Sequence, residues 1–153
     1  MTGAEGRQPL DRDQLKRTAE RLRAAGLRPT RQRMRILALL ARGGDRHLTA
    51  ADVLEEAQQA GLEVSFATIY NTLKTFTEHG LLKILPLGAG RILFDTNTRP
   101  HFHLHVEETG ELIELPPDLE SIAEISSRLS GEERQRLEVL AYVRRRSGAK
   151  QER

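Results

Sequence analysis

Residues 64–82 read VSFATIYNTLKTFTEHGLL. Ser65 is a good helix cap and Gly80 a good stop. Between them Phe66, Ile69, Leu73 and Phe76 recur at the spacing of one inward helical face. The other side carries Ser65, Ala67, Thr68, Tyr70, Asn71 and Lys74. Small polar residues near a helix N-terminus let the backbone approach phosphates, and the helix dipole favours them there. Tyr70 can pack on a thymine methyl or bond a phosphate, and Asn71 can address adenine through its amide. This is the pattern of a helix that enters a DNA groove, although a surface helix of a bundle shares its periodicity.

Working outward, three helices are expected before this one. Asp11 can cap Arg12–Ala25, with Gly26 as the stop. A second begins at Pro29-Thr30 and ends at Gly43-Gly44. The third begins at Thr49, where Thr-Ala-Ala-Asp resembles a capping box, and runs to Ala60 before Gly61. After Gly80 come two short strand candidates, Leu82–Leu85 and Arg91–Phe94, joined by a Gly-rich turn. Helices followed by a β-hairpin describe a winged helix-turn-helix, with residues 66–79 as the reader and the hairpin as the wing. The spacing assigns this domain to residues 11–95.

Residues 96–147 differ in character. His101–Glu107 alternates as a strand, Thr109-Gly110 turns, and Glu111–Leu115 returns. Pro116-Pro117-Asp118 then starts a helix over Leu119–Leu129, and Arg136–Arg145 reads as a last strand. The fold class expected is α+β, an N-terminal winged helix-turn-helix followed by a small α/β dimerisation domain. Strands in so small a unit need an edge partner, which a second copy of the chain supplies.

Alternate residues of a strand share a face, so His101, His103 and His105 lie together about 7 Å apart. Imidazoles suit Zn, Fe, Ni and Cu, and carboxylates such as Asp95, Glu107, Glu108, Glu111 and Glu114 widen the choice to Mn. A polar strand face that merely uses histidine is the bland alternative.

Composition narrows the rest. The chain has 153 residues, no Cys and no Trp, which excludes disulfides, thiolate zinc sites and thiol catalysis. Residues 1–50 hold twelve Lys/Arg against five Asp/Glu, while residues 91–153 hold ten against twelve. The basic front suits phosphate contact or, equally, solvated helix faces. Arg28 and Arg31 stand where a second-helix N-terminus would place phosphate clamps. No apolar run approaches a membrane span and the N-terminus lacks a signal-like apolar region, so a cytoplasmic protein is expected.

The stretches AAGLRPTRQRMRIL, HLTAADVL, VSFATIYNTLKTFTEHGLL, RILFDTNTRPHFH and TGELIEL stand in the order and spacing of the ferric-uptake-regulator (Fur) family. The chain resembles that family over roughly residues 20–145. IYNTLKTFTEHGLL and FDTNT look most like its iron-response-regulator (Irr) branch. The resemblance implies a homodimeric repressor of iron homeostasis, not an enzyme, that binds a palindromic AT-rich DNA operator. It implies DNA contacts at Arg28, Tyr70 and Asn71, beside the Arg31, Ser65 and Thr68 suggested by the pattern. Many relatives have Arg where Asn71 stands.

The family's hinge metal site maps onto His47, Asp95, His101, His103 and Glu114, with Asp95 where Glu is common. One divalent ion per subunit, Fe, Mn or Zn, is implied. Val106 and Thr109 replace a family Cys-x-x-Cys pair, so no structural zinc held by four cysteines is expected. Pro100, Phe102 and Ser121 occupy ligand positions of a further family site. The Irr branch often has three consecutive histidines proposed for haem. Here His101-Phe102-His103 lacks the middle one and His105 is extra, leaving haem or a secondary metal as a candidate for these three. A zinc-, manganese- or peroxide-responsive regulator of the same family is the alternative, and a His-ligated hydrolytic metalloenzyme the rival from another class.

Overall fold

Three polar side chains start the helices that carry the front of the molecule. The computed structural model describes residues 12–87, 90–106 and 109–132. Helix α1 spans Arg12–Ala24 and α2 spans Arg31–Leu40, capped by Thr30, whose Oγ1 accepts from Arg33 N–H. A two-residue strand, β1 (His47–Leu48), precedes α3 (Ala50–Gln59). The capping box there is complete: Asp52 N–H donates to Thr49 Oγ1 at 3.1 Å, and Thr49 N–H to Asp52 Oδ2 at 2.7 Å. Helix α4 (Phe66–Glu78) is capped by Ser65, whose Oγ accepts from Thr68 N–H at 3.2 Å. It ends at Gly80, where φ is +73° and Leu81 N–H closes back onto the Phe76 carbonyl at 2.8 Å. That left-handed turn is one a glycine takes without a Cβ clash.

Strands β2 (Lys83–Pro86) and β3 (Ile92–Asp95) pair antiparallel, and β1 adds to the other edge of β3, giving the order β1-β3-β2. Asp95 therefore lies between His47 and Lys83 in the ladder. His47, which stands just before the third helix in the sequence, sits on β1. Two residues are too few for a strand to show its period, and only pairing to β3 makes one here.

Leu22, Ile36, Leu37, Val53, Ile69, Leu73, Phe76 and Phe94 form the centre of the core of this first unit, which comprises residues 1–99. Residues 96–99 stay with it through Thr96 N–H on the Arg46 carbonyl (3.0 Å) and an Arg99–Asp45 ion pair (2.9 Å).

The second unit, residues 100–153, holds strands β4 (Phe102–Val106) and β5 (Glu111–Leu115) as an antiparallel pair, then helix α5 (Leu119–Arg128) capped by Asp118. Among the described residues, none of β4 or β5 reaches the fully buried class, and Phe102 and Ile113 are exposed. The Asp11 cap, the glycine turn at 88–89, Glu107, Glu108 and the strand expected over Arg136–Arg145 lie outside the described residues. No helix among the described residues is long and apolar enough to cross a membrane.

Candidate metal centre and nucleic-acid interface

In the first unit, β-pairing sets His47 opposite Asp95, with His47 Nε2 3.7 Å from Asp95 Oδ1. The Asp95 side chain is fully buried, and its Oδ1 accepts the Asn97 N–H at 2.8 Å. Asn97, itself buried, accepts through Oδ1 from Arg99 N–H at 3.1 Å, so the Asp95-Thr-Asn-Thr-Arg turn is built on side-chain to backbone bonds. Sequence reasoning noted FDTNT only as a family resemblance. Asx-turn chemistry at Asp95 and Asn97 was the available signal for this support.

In the second unit, Glu114 stands across the ladder from His103, and the turn before β4 brings His101 alongside. His101 Nε2 and His103 Nε2 are 2.9 Å apart, with ring centroids at 4.4 Å, and His101 Nε2 is 4.0 Å from Glu114 Oε1. Ligand atoms of His101, His103 and Glu114 all lie within 4.8 Å of one another. Two nitrogens bound to one ion at about 2.0–2.1 Å sit roughly 2.9–3.4 Å apart for right-angled to tetrahedral geometry. The imidazole pair already has that bite, so these residues fit a small divalent ion. His105 shares their face but lies opposite Leu112 and stands outside this group. Its Nε2 is buried with no hydrogen-bond partner among the described residues.

The reader side belongs to the first unit. Ser65, Tyr70, Asn71 and Lys74 are exposed on α4, and Thr68 is half-buried with its hydroxyl 2.9 Å from Ser65 Oγ. Arg28 and Arg31 are exposed at the entry to α2, where the Arg28 carbonyl accepts from Arg33 Nη1 at 3.2 Å. Phe66 departs from the inward face assigned to it. It is 50% exposed and stacks on Tyr70 with centroids 6.3 Å apart. The period extends the apolar stripe to the helix's first residue, but no element among the described residues covers that turn. Tyr70 in turn meets Phe94 of the wing edge-on at 6.3 Å, which holds its ring in place.

A helix-turn-helix with a small wing, together with imidazole and carboxylate ligand sets, defines a metal-responsive DNA-binding regulator. The Ferric uptake regulator family profile matches residues 24–142, and the chain belongs to that family. The "Peroxide operon regulator" of Bacillus subtilis (strain 168) is 33% identical over 119 residues, 77% of this chain and 81% of that protein. The ferric uptake regulator of Pseudomonas aeruginosa, solved with manganese, superposes with a TM-score of 0.62 at 30% identity, over 84% of this chain and 98% of that one. That of Vibrio cholerae gives 0.59 at 25% identity, over 81% and 92%. The fold is thus the family's helical N-terminal DNA-binding domain with a small α/β domain. Family members are transcription regulators rather than enzymes, which removes the metalloenzyme reading.

Proposed function

We propose that this chain is a homodimeric repressor of iron homeostasis that binds a palindromic, AT-rich operator and answers to one divalent ion per subunit. Residues 11–95 read DNA and residues 96–147 dimerise and sense. His47, Asp95, His101, His103 and Glu114 are the ligands, three imidazoles and two carboxylates. The observation that carries the reading is the 2.9 Å approach of His101 Nε2 to His103 Nε2 beside Glu114, with the His47–Asp95 pair offering the same donor types in the reader's unit. Ligation shared between the two sets ties DNA affinity to metal by linkage.

The donor set is borderline in hardness and admits Fe, Mn or Zn, so availability can choose among them. Iron is favoured by the resemblance of FDTNT to the Irr branch. Haem at His101, His103 and His105 has less support, because the first two rings are turned onto each other as ligands of an ion would be. Dimerisation is supported by the half-exposed state of β4 and β5. DNA contacts are assigned to Arg28, Arg31, Ser65, Thr68, Tyr70 and Asn71.

A peroxide- or manganese-responsive regulator is the second reading, favoured by the 33% identity to the Bacillus subtilis peroxide regulator and the manganese-bound Pseudomonas aeruginosa neighbour. Metal analysis of untagged protein, followed by gel shifts with chelator, Fe(II), Mn(II) or Zn(II) and with peroxide, separates the readings. DNA binding that ignores every ion would refute both.

A further inference from the structure

Arg46 precedes His47 and touches three other parts of the first unit. Its backbone N–H donates to Thr96 Oγ1 at 2.8 Å, and its carbonyl accepts from Thr96 N–H at 3.0 Å. These bonds continue the β1–β3 pairing one residue past His47 and Asp95, so both ligand candidates are anchored by the same clamp. The guanidinium turns toward the helices. Nη1 and Nη2 donate to the two Glu56 carboxylate oxygens on α3 at 2.8 and 3.3 Å, and Nη2 also reaches the Leu39 carbonyl in the last turn of α2 at 3.0 Å. Nε is buried with no hydrogen-bond partner among the described residues.

We infer that Arg46 is a positioning residue that couples the His47–Asp95 ligand pair to the α2–α3 helix pair, transmitting metal occupancy to the DNA-reading part of the domain. The inference rests on the metal-responsive reading above. A planar guanidinium spans a carboxylate and a carbonyl at once, which a lysine ammonium on a flexible stem does less rigidly. Any displacement of the His47 backbone must move Arg46, and the fork carries that displacement to the end of α2 and to Glu56. The helix α3 packs on α4, so the path ends at the reader. A purely structural staple would stabilise the domain equally in both metal states. A coupling residue changes the difference between them.

The test uses full-length protein and a duplex selected from a random-sequence pool by the manganese-loaded parent. DNA affinity is measured with chelator and with saturating Mn(II), and Mn(II) affinity by calorimetry. Arg46→Gln and Glu56→Gln should leave chelated DNA affinity within about twofold of the parent and cut the metal-induced gain roughly tenfold, within the usual span of coupling factors. Arg46→Lys should lie between. If Arg46→Gln fails to fold, Glu56→Gln, which keeps shape and loses charge, decides. An unchanged gain in the folded variants, or an equal loss in both metal states, overturns the inference while the parent's response stands. A parent that selects no duplex, or whose DNA affinity ignores Mn(II), overturns the inference and the Mn(II) form of the functional reading together.

Discussion

His47 faces Asp95 directly across the β1–β3 ladder, and its Nε2 lies 3.7 Å from a carboxylate that is fully buried. A buried carboxylate is costly unless cations or donors surround it. Here one oxygen takes the Asn97 N–H, and a bound cation would offset the rest of the cost. Asp95→Asn keeps the side-chain shape and removes the charge. It should weaken Mn(II) binding by about 100-fold or more, since even outer partners of metal ligands are worth roughly 10–100-fold. The chelated variant should still melt cooperatively, because Asn keeps an acceptor for the Asn97 N–H. Calorimetric titration and thermal melts check this, and parental metal affinity in Asp95→Asn would exclude Asp95 as a ligand.

The histidines of the second unit should separate by position. His101→Ala or His103→Ala should lower Mn(II) affinity and the metal-dependent part of DNA affinity together. His105→Ala should change either by no more than about twofold, because its imidazole stands outside the ligand group. His79→Ala should do neither. Its Nδ1 lies 2.7 Å from the Ala25 carbonyl, so its loss should cost about 0.5–1.5 kcal/mol of stability instead. Unaltered metal affinity in the double His101→Ala, His103→Ala variant would remove the proposed centre.

The caps and stops were legible because each is a local rule: Thr49 with Asp52, Ser65 with Thr68, and Asp118 with Ser121 all bond within four residues. The faces of α4 were legible except at its first turn. Phe66 obeys the helical period, but only the neighbouring elements determine whether a position on that stripe is covered. Strand β1 was invisible because its two residues have no pattern of their own and exist by pairing with β3. The alternation of β4 set His103 and His105 on one face, and the register adds that Glu114 stands opposite His103 and Leu112 opposite His105. Arg46 gave no signal at all, since its partners Leu39, Glu56 and Thr96 are separated from it by seven, ten and fifty positions.

Helix α5 should carry an acid-sensitive start. The Ser121 backbone N–H, then its hydroxyl, donates to Asp118 and lowers that carboxyl's pKa below its ordinary value. A depressed folded pKa adds stability that is present above the unfolded value, near 3.9, and is lost as pH falls through the lowered one. Protection of the Ser121 amide should therefore be flat from pH 7 to about 5 and fall below roughly 4. Asp118→Asn, which keeps an acceptor without a charge, should flatten that step. Amide exchange across this range reads the outcome, and an identical acid profile in the variant would assign the step elsewhere.

Folding should not require zinc. With no Cys in the chain, no thiolate cluster can hold the second unit, and the described apolar core is contributed by residues 22–94. Exhaustively chelated protein should still melt cooperatively, with a midpoint that rises with protein concentration if β4 and β5 are covered by a second copy. Loss of the cooperative transition on chelation would show that folding depends on a bound metal. A midpoint independent of concentration would argue against the dimer.

The reader itself is tested at Tyr70 and Arg28. Tyr70 is 37% exposed on α4, held between Phe66, stacked at 6.3 Å, and Phe94, edge-on at 6.3 Å. A ring fixed on both sides loses little freedom on contacting a base, so its contribution should depend on what lies opposite. Tyr70→Ala should cost about 1–3 kcal/mol on the selected site and much less on unrelated DNA, which relaxes specificity. Arg28 is exposed before the N-terminus of α2. As a phosphate clamp it should weaken binding to all sequences alike when changed to Ala, and reduce the salt slope by roughly one. Both variants should retain the parent's oligomeric state, because neither residue lies in the second unit. Anisotropy titrations on selected and scrambled duplexes at several salt concentrations read both effects. Parental affinity in both variants would show that α4 and the entry to α2 do not face DNA.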